Sequence, residues 1–297
     1  MKDLAQLIAA ELDEPVDPRA TAMAAAIAAQ YPGAARAVLF YGSCLRERQL
    51  DGLMLDFYLI VSDYRQAYGA RWLSVANRLI PPNVFPFAEG GLSAKYAVLS
   101  EADFARECSR DARSTSVYAR FAQPARLVWA RDEAAREGAV SALCDAVVTL
   151  LGLARITMNS QDAGDPLGVW RTAFSLTYAA ELRAERSSRP GAIVDADPDR
   201  YRRIAEASGV LDQPAPDSRE QARALKAWRR RQRKGKGLSV VRLAKASFTF
   251  AGGIDYLAWK INRHAGTSIE IAPWQRRWPL IGALTLLPRL LARGAIR

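Results

Sequence analysis

Histidine is almost absent. The chain of 297 residues holds one, His264, near its end. A zinc cage made of several imidazoles and a histidine relay pair are therefore excluded. Cysteine is scarce too. Cys44, Cys108 and Cys144 lie far apart with no CxxC spacing, so neither a zinc ribbon nor a disulfide framework is readable, and a reducing compartment is expected. Long apolar runs are missing as well: no stretch of 18 apolar residues occurs, and the longest candidate, Pro279 to Pro288, is about half a membrane span. The opening stretch carries Asp3, Glu11, Asp13, Glu14 and Asp17, which is wrong for a secretory leader and for an acid-poor transit peptide. The expectation is a protein with no signal peptide and no transmembrane span.

Acidic residues are lacking in one place only. Of 42 basic and 31 acidic side chains, residues 226 to 297 hold 16 basic but just two acidic ones, Asp255 and Glu270. The formal charge of +11 thus divides into a slightly acidic body and a strongly basic last quarter. Such asymmetry points to an anionic partner, either nucleic acid or an acidic membrane surface, with a solvated basic tail as the plain alternative. Lysine is also rare among the basic residues, seven against 35 arginines, and the first 225 residues contain only Lys2 and Lys95.

Half the chain is hydrophobic, a composition suited to folded domains. Asp17 to Tyr31 reads as a helix with Pro18 at its first position and Pro32-Gly33 as its stop. Ala37 to Tyr41 and Leu53 to Val61 read as strands, Asp63 to Leu79 as a helix, and Ala94 to Leu99 as a strand. Ser100 can cap a helix running to Ser109, and Ala125 to Trp129 is the last strand-like run. From Asp132 onward the pattern is helical: Glu133 to Asn159, Leu167 to Arg186 and Asp199 to Ser208. The block Trp228 to Gly237 is basic and low in complexity, and composition alone leaves open a nucleic-acid strip, a lipid patch or a solvated linker.

One arrangement suits phosphate chemistry. A strand ends in Tyr41-Gly42-Ser43, and the following strand carries Asp56. Glycine at such a turn lets the backbone approach a polyanion, and serine adds a hydroxyl. An acid on the adjacent strand can hold Mg²⁺ over the same phosphates, the working logic of nucleotidyltransferases of the DNA polymerase β type. A plain turn with Ser43 as a helix cap is the alternative. Against it, Asp56 interrupts a run that otherwise looks fully buried, where a carboxylate is costly unless paired or metal-bound.

Four segments, in order, resemble the mitochondrial-type phosphatidate cytidylyltransferases, the translocator assembly and maintenance family. Tyr41-Gly42-Ser43 is similar to that family's Gly-Tyr-Gly-Ser turn, and Met54-Leu55-Asp56-Phe57 to its Asp-bearing strand. Lys95 to Ser100 resembles its Lys-Tyr-Gly-Val strand, and Ala119 to Pro124 its Gly-Arg-Leu-x-Lys-Pro element. Near the C-terminus, Lys245, Thr249 to Gly253 and Tyr256 to Lys260 are similar to its Lys-Gly, Thr-Ala-Gly and Tyr-x3-Lys run. The middle of the chain, 160 to 235, is poorly matched. The usual Asp-x-Asp pair is reduced to Asp56, leaving Asp51 as the candidate second metal ligand, with a solvated loop acid as the equal alternative.

The resemblance implies transfer of a cytidylyl group from CTP to phosphatidic acid, giving CDP-diacylglycerol and pyrophosphate, with Mg²⁺ required. Gly42 and Ser43 would cradle the nucleotide, Asp56 would hold metal, and Lys95 would bind the nucleotide and neutralise charge developing on the phosphates. An exposed strand-end lysine is the plain alternative for Lys95. The expected fold is α+β: a DNA polymerase β-like nucleotidyltransferase domain over 1–131, a mainly helical domain over 132–236, and a basic amphipathic C-terminal segment over 237–297.

That segment mixes Trp, Leu and Arg with hardly any acid, the composition of an interfacial helix, although core packing would also explain it. Lys245, Lys260, Trp274, Arg276, Arg277 and Trp278 are its expected lipid-facing residues, and the resemblance implies that the two lysines reach toward the site. The reading is an enzyme on the cytoplasmic face of an anionic membrane, held peripherally. It disfavours nucleic acid as partner and leaves the oligomeric state open. Two alternatives stand: a nucleotidyltransferase acting on RNA or another polar acceptor, and an inactive lipid-binding assembly factor.

Overall fold

Alternation of side chains along the strands decides the architecture. The computed structural model describes residues 2–47, 50–181, 189–249 and 271–274. In chain order the elements are α1 (Lys2–Leu12), α2 (Pro18–Ala29), β1 (Ala35–Tyr41), α3 (Ser43–Glu47), β2 (Met54–Val61), α4 (Tyr64–Ala67), α5 (Arg71–Leu79), β3 (Asn83–Glu89) and β4 (Leu92–Ser100). They continue as α6 (Glu101–Cys108), α7 (Ser116–Phe121), β5 (Ala125–Ala130), α8 (Glu133–Arg155), α9 (Pro166–Tyr178), α10 (Arg189–Asp195), α11 (Pro198–Ala207) and α12 (Ser218–Thr249).

The five strands form one sheet in the order β3-β4-β2-β1-β5. Only β2 and β4 pair in parallel; the other neighbours are antiparallel. The class is therefore α+β with a mixed sheet. On one face, Leu55, Phe57, Leu59 and Val61 of β2 pack with Val38 and Phe40 of β1 against Met23 and Ile27 of α2. On the other, Tyr58 and Ile60 join Leu39 and Leu99 against α1, α6, α7 and the helical second half, including Leu143, Trp170 and Trp228. Period-two alternation sends successive residues of one strand into these two cores.

The second core is continuous from β1 to α12, so residues 132–236 share a core with the sheet instead of enclosing one of their own. Helix α8 is the one helix among the described residues long and apolar enough to cross a membrane, with a mean hydropathy of 1.6 over its best window. Most of that window, 61%, is buried inside the protein. Its apolar character serves the core.

Local signals account for several boundaries. Asp17 accepts from the Arg19 backbone N–H ahead of Pro18 in α2, and the Ser100 hydroxyl accepts from the Asp103 N–H to start α6. The helix expected over Asp63 to Leu79 is two helices, separated at Tyr68 to Ala70. Strand β3 was not expected from the sequence. It lies at the sheet edge, where Pro86 is tolerated because its missing N–H faces away from the ladder, and Gly90-Gly91, both at positive φ, turn it into β4.

The largest departure is α12. The sequence suggested a basic block to Gly237 and a separate helix beyond it, whereas one helix runs through Gly235 and Gly237. Gly235 permits this: a Cβ there would lie 2.3 Å from the Ala180 carbonyl oxygen. Bare backbone is what allows α12 to seat against the end of α9.

Candidate functional site

Tyr41, Asp56 and Lys95 are consecutive across three strands: Tyr41 pairs with Asp56, and Asp56 with Lys95. By alternation all three share the sheet face with Leu39, Tyr58 and Ala97, the face covered by the helical half. The Asp56 carboxylate meets the Lys95 ammonium at 2.9 Å, with the two side chains 19% and 22% exposed. This ion pair keeps a charged carboxylate tolerable inside β2 and leaves both groups within reach of solvent.

The Gly-Ser turn closes over the same carboxylate. Gly42 has φ of +97°, and a Cβ on it would lie 3.0 Å from Asp56 Oδ2. Only glycine meets both demands, a left-handed backbone and contact with a carboxylate. Ser43 begins α3 directly after the turn, and Cys44 beside it is buried, its thiol donating to the Met54 carbonyl at 3.3 Å. That bond fastens the turn to the start of β2.

An arginine roofs the site. Arg120 of α7 donates to the Tyr58 hydroxyl at 3.4 Å and to the Ser116 carbonyl at 3.1 Å, and its guanidinium stands 5.3 Å from the centre of the Tyr41 ring. Burial acts to strip its charge, but attraction from Tyr41, Tyr58, Glu181 and Asp56 outweighs that and holds its pKa above the ordinary arginine value. A second arginine, Arg242 of α12, donates to the Pro81 carbonyl at 2.7 Å and the Ser114 hydroxyl at 3.1 Å. Burial lowers its pKa, and the same Tyr58, Glu181 and Arg120 act on it electrostatically. The sequence marked Arg120 only as the arginine of the Ala119 to Pro124 element, with no role, and did not single out Arg242; the packing of α7 and α12 onto the sheet sets both apart.

The remaining expected residues lie elsewhere. Asp51 is exposed and bonded to Arg19 at 2.8 Å, on the α2 side. Lys245 is part-buried, with its ammonium turned to the protein. Its Nζ donates to the carbonyls of Ile80 and Pro82 and to Asn83 Oδ1, and burial with Arg242 nearby pushes its pKa down to about 7. Its role in the described structure is to fasten α12 to the entry of β3. Trp274 is exposed, at 48%. Lys260, Arg276, Arg277 and Trp278 lie outside the described residues.

Mg²⁺ would find one carboxylate here. Among the described residues no group of three or more His, Cys, Asp or Glu side chains could hold a metal ion. Asp56 fits as the single protein carboxylate of an ion whose other ligands are phosphate oxygens and water, a common mode for Mg²⁺ at nucleotide sites. Asp51, turned to Arg19, does not complete a preformed cage.

No protein family model matches this chain, and no curated protein is significantly similar to it.

Proposed function

We propose that the protein is a nucleotidyltransferase that transfers the cytidylyl group of CTP to the phosphate of phosphatidic acid at a membrane surface. One observation carries the reading: the Gly42–Ser43 turn, Asp56 and Lys95, set apart in sequence, meet on adjacent strands with Gly42 in contact with the carboxylate. Such a turn admits a phosphate chain close to the backbone, and Lys95 and Arg120 supply positive charge beside it.

Transfer then needs positioning more than covalent chemistry. An oxygen of the lipid phosphate attacks the α-phosphorus of CTP, the bond from that phosphorus to the bridging oxygen breaks, and pyrophosphate leaves with the electron pair. Lys95 would exchange part of its attraction to Asp56 for a phosphate oxygen, and Arg120, held by Tyr41 and Tyr58, would meet charge growing on the leaving group. Bound Mg²⁺, held by Asp56 with the phosphates, would supply further charge neutralisation.

Support for a lipid acceptor comes from α5. Trp72, Val75 and Leu79 fall at helical spacing and are 55%, 54% and 70% exposed, with Arg71 and Arg78 beside them. An exposed apolar stripe edged by arginine fits the interface of an anionic bilayer.

The test is purified protein with radiolabelled CTP, Mg²⁺ and phosphatidic acid vesicles, followed for CDP-diacylglycerol and pyrophosphate. Asp56→Asn and Lys95→Ala are each expected to lower turnover by about 100-fold or more. Product formation unaffected by Asp56→Asn would overturn the assignment. The lone carboxylate favours one competing outcome: nucleotide binding without transfer to any acceptor, as in an inactive lipid-binding factor.

A further inference from the structure

Away from the Asp56 site, α12 carries Arg223, Lys226, Arg230 and Lys234 at spacings of three and four residues, which aligns them on one stripe, with Arg231 beside it. Across from the stripe stands Arg113, and between them opens a cleft of about 510 Å³. Among the described residues no acidic side chain lines it and none of the six cations forms an ion pair. The Arg113 guanidinium donates to the Arg78 carbonyl at 2.9 Å and its backbone N–H to Glu107 Oε1 at 3.4 Å, and Arg231 lies over the Trp228 ring at 5.6 Å. Six positive charges around one depression repel one another unless an anion sits among them.

A second observation is independent of charge. Thr115 and Tyr118 also line the cleft and are only 3% and 2% exposed, yet neither hydroxyl has a hydrogen-bond partner among the described residues. Buried hydroxyls are nearly always satisfied, so two orphans in the wall of one cleft mark a place where acceptor atoms are missing. Phosphate oxygens accept from hydroxyls and from arginine forks alike. The volume suits a small molecule, and hydroxyls set this deep lie beyond a polynucleotide resting on the outer face of α12.

We propose that this cleft binds a small anion carrying two or more phosphate groups, separately from the Gly42–Asp56–Lys95 site. The residues that line it include none of that site. The proposal rests on the cleft alone and stands whether or not the chain transfers nucleotides.

Titration calorimetry with the full chain tests it, using inorganic tripolyphosphate as probe. Arg230→Ala combined with Lys234→Ala changes two exposed side chains and is expected to weaken binding by about tenfold or more. Tyr118→Phe keeps the ring and removes one orphaned hydroxyl; it should weaken binding by about threefold while leaving the fold intact by circular dichroism. Arg65→Ala, an exposed cation outside the cleft, should leave the affinity within about twofold. Equal affinity in the α12 double variant or in Tyr118→Phe, or loss of binding in Arg65→Ala, would overturn the proposal. Vesicles of phosphatidylcholine with and without phosphatidic acid form a second arm. Competition by phosphatidic acid, which carries a single phosphate, that fails in the double variant would overturn the assignment to an anion of two or more phosphates, and its absence identifies a soluble polyphosphate compound. A short RNA that outcompetes tripolyphosphate at these same residues would overturn the small-anion assignment.

Discussion

Gly42 is the residue on which the proposed site turns. Its φ of +97° strains any other residue, and the added methyl of alanine would meet Asp56 Oδ2 at 3.0 Å. Gly42→Ala is therefore expected to lower stability by about 1–3 kcal/mol in urea unfolding, from the backbone strain alone. It should also reduce CTP binding, because the turn can relieve the contact only by moving away from Asp56. Gly33→Ala supplies the control, since Gly33 also has positive φ but a Cβ there would meet nothing within 4 Å. If both substitutions weaken CTP binding equally, the Gly42 turn is not a nucleotide contact. Asp56 and Lys95 were legible in the sequence for a definable reason: a carboxylate inside an apolar strand and a rare lysine are each anomalous on their own. Arg120 was not, because its distinction lies in the rings of Tyr41 and Tyr58 beneath it, and those come together only in the folded sheet.

Among the elements, α5 changes where contact with lipid is expected. The sequence directed attention to the Trp- and Arg-rich C-terminal segment, most of which lies outside the described residues; the described structure adds an exposed apolar stripe on α5 and turns Lys245 inward. Trp72→Ser with Leu79→Ser removes two exposed apolar side chains and should cost little stability. It should lower partition onto phosphatidic acid vesicles by about tenfold or more in a flotation assay, given roughly 1.5–3 kcal/mol for each large apolar side chain buried. Unchanged partition would remove α5 from the membrane reading. Helix starts at Asp17-Pro18 and Ser100 were readable because capping is local chemistry. Strand β3 and the unbroken α12 were not, since Pro86 and Gly235 oppose their elements locally and are accommodated only by an edge position and by the Ala180 carbonyl.

At the scale of the molecule, one core joins what the sequence divided at residue 131. The side of the sheet that carries Tyr41, Asp56 and Lys95 is covered by α1, α6 and α7 and by α8 and the helices after it. A chain ending at residue 131 would keep only α1, α6 and α7 on that face and lose the rest of its apolar cover. It is expected to bind a hydrophobic dye strongly and to lack a cooperative thermal transition. A sharp transition from that fragment would show that residues 1–131 are self-sufficient. The division of charge remains meaningful in this single body, because the basic residues of α12 run along the rim of the cleft and the acidic ones are spread over the rest.

Helix α12 joins these regions as one continuous helix. Trp228 anchors one part of it, its indole N–H donating to the Leu153 carbonyl at 2.9 Å, while Arg242 and Lys245 anchor another on the segment before β3. Between the anchors lie Gly235 and Gly237, each costing about 1 kcal/mol of helix propensity relative to alanine. The middle of α12 thus owes its helicity to its neighbours. Close packing of Gly235 on the Ala180 carbonyl compensates there for the low helix propensity.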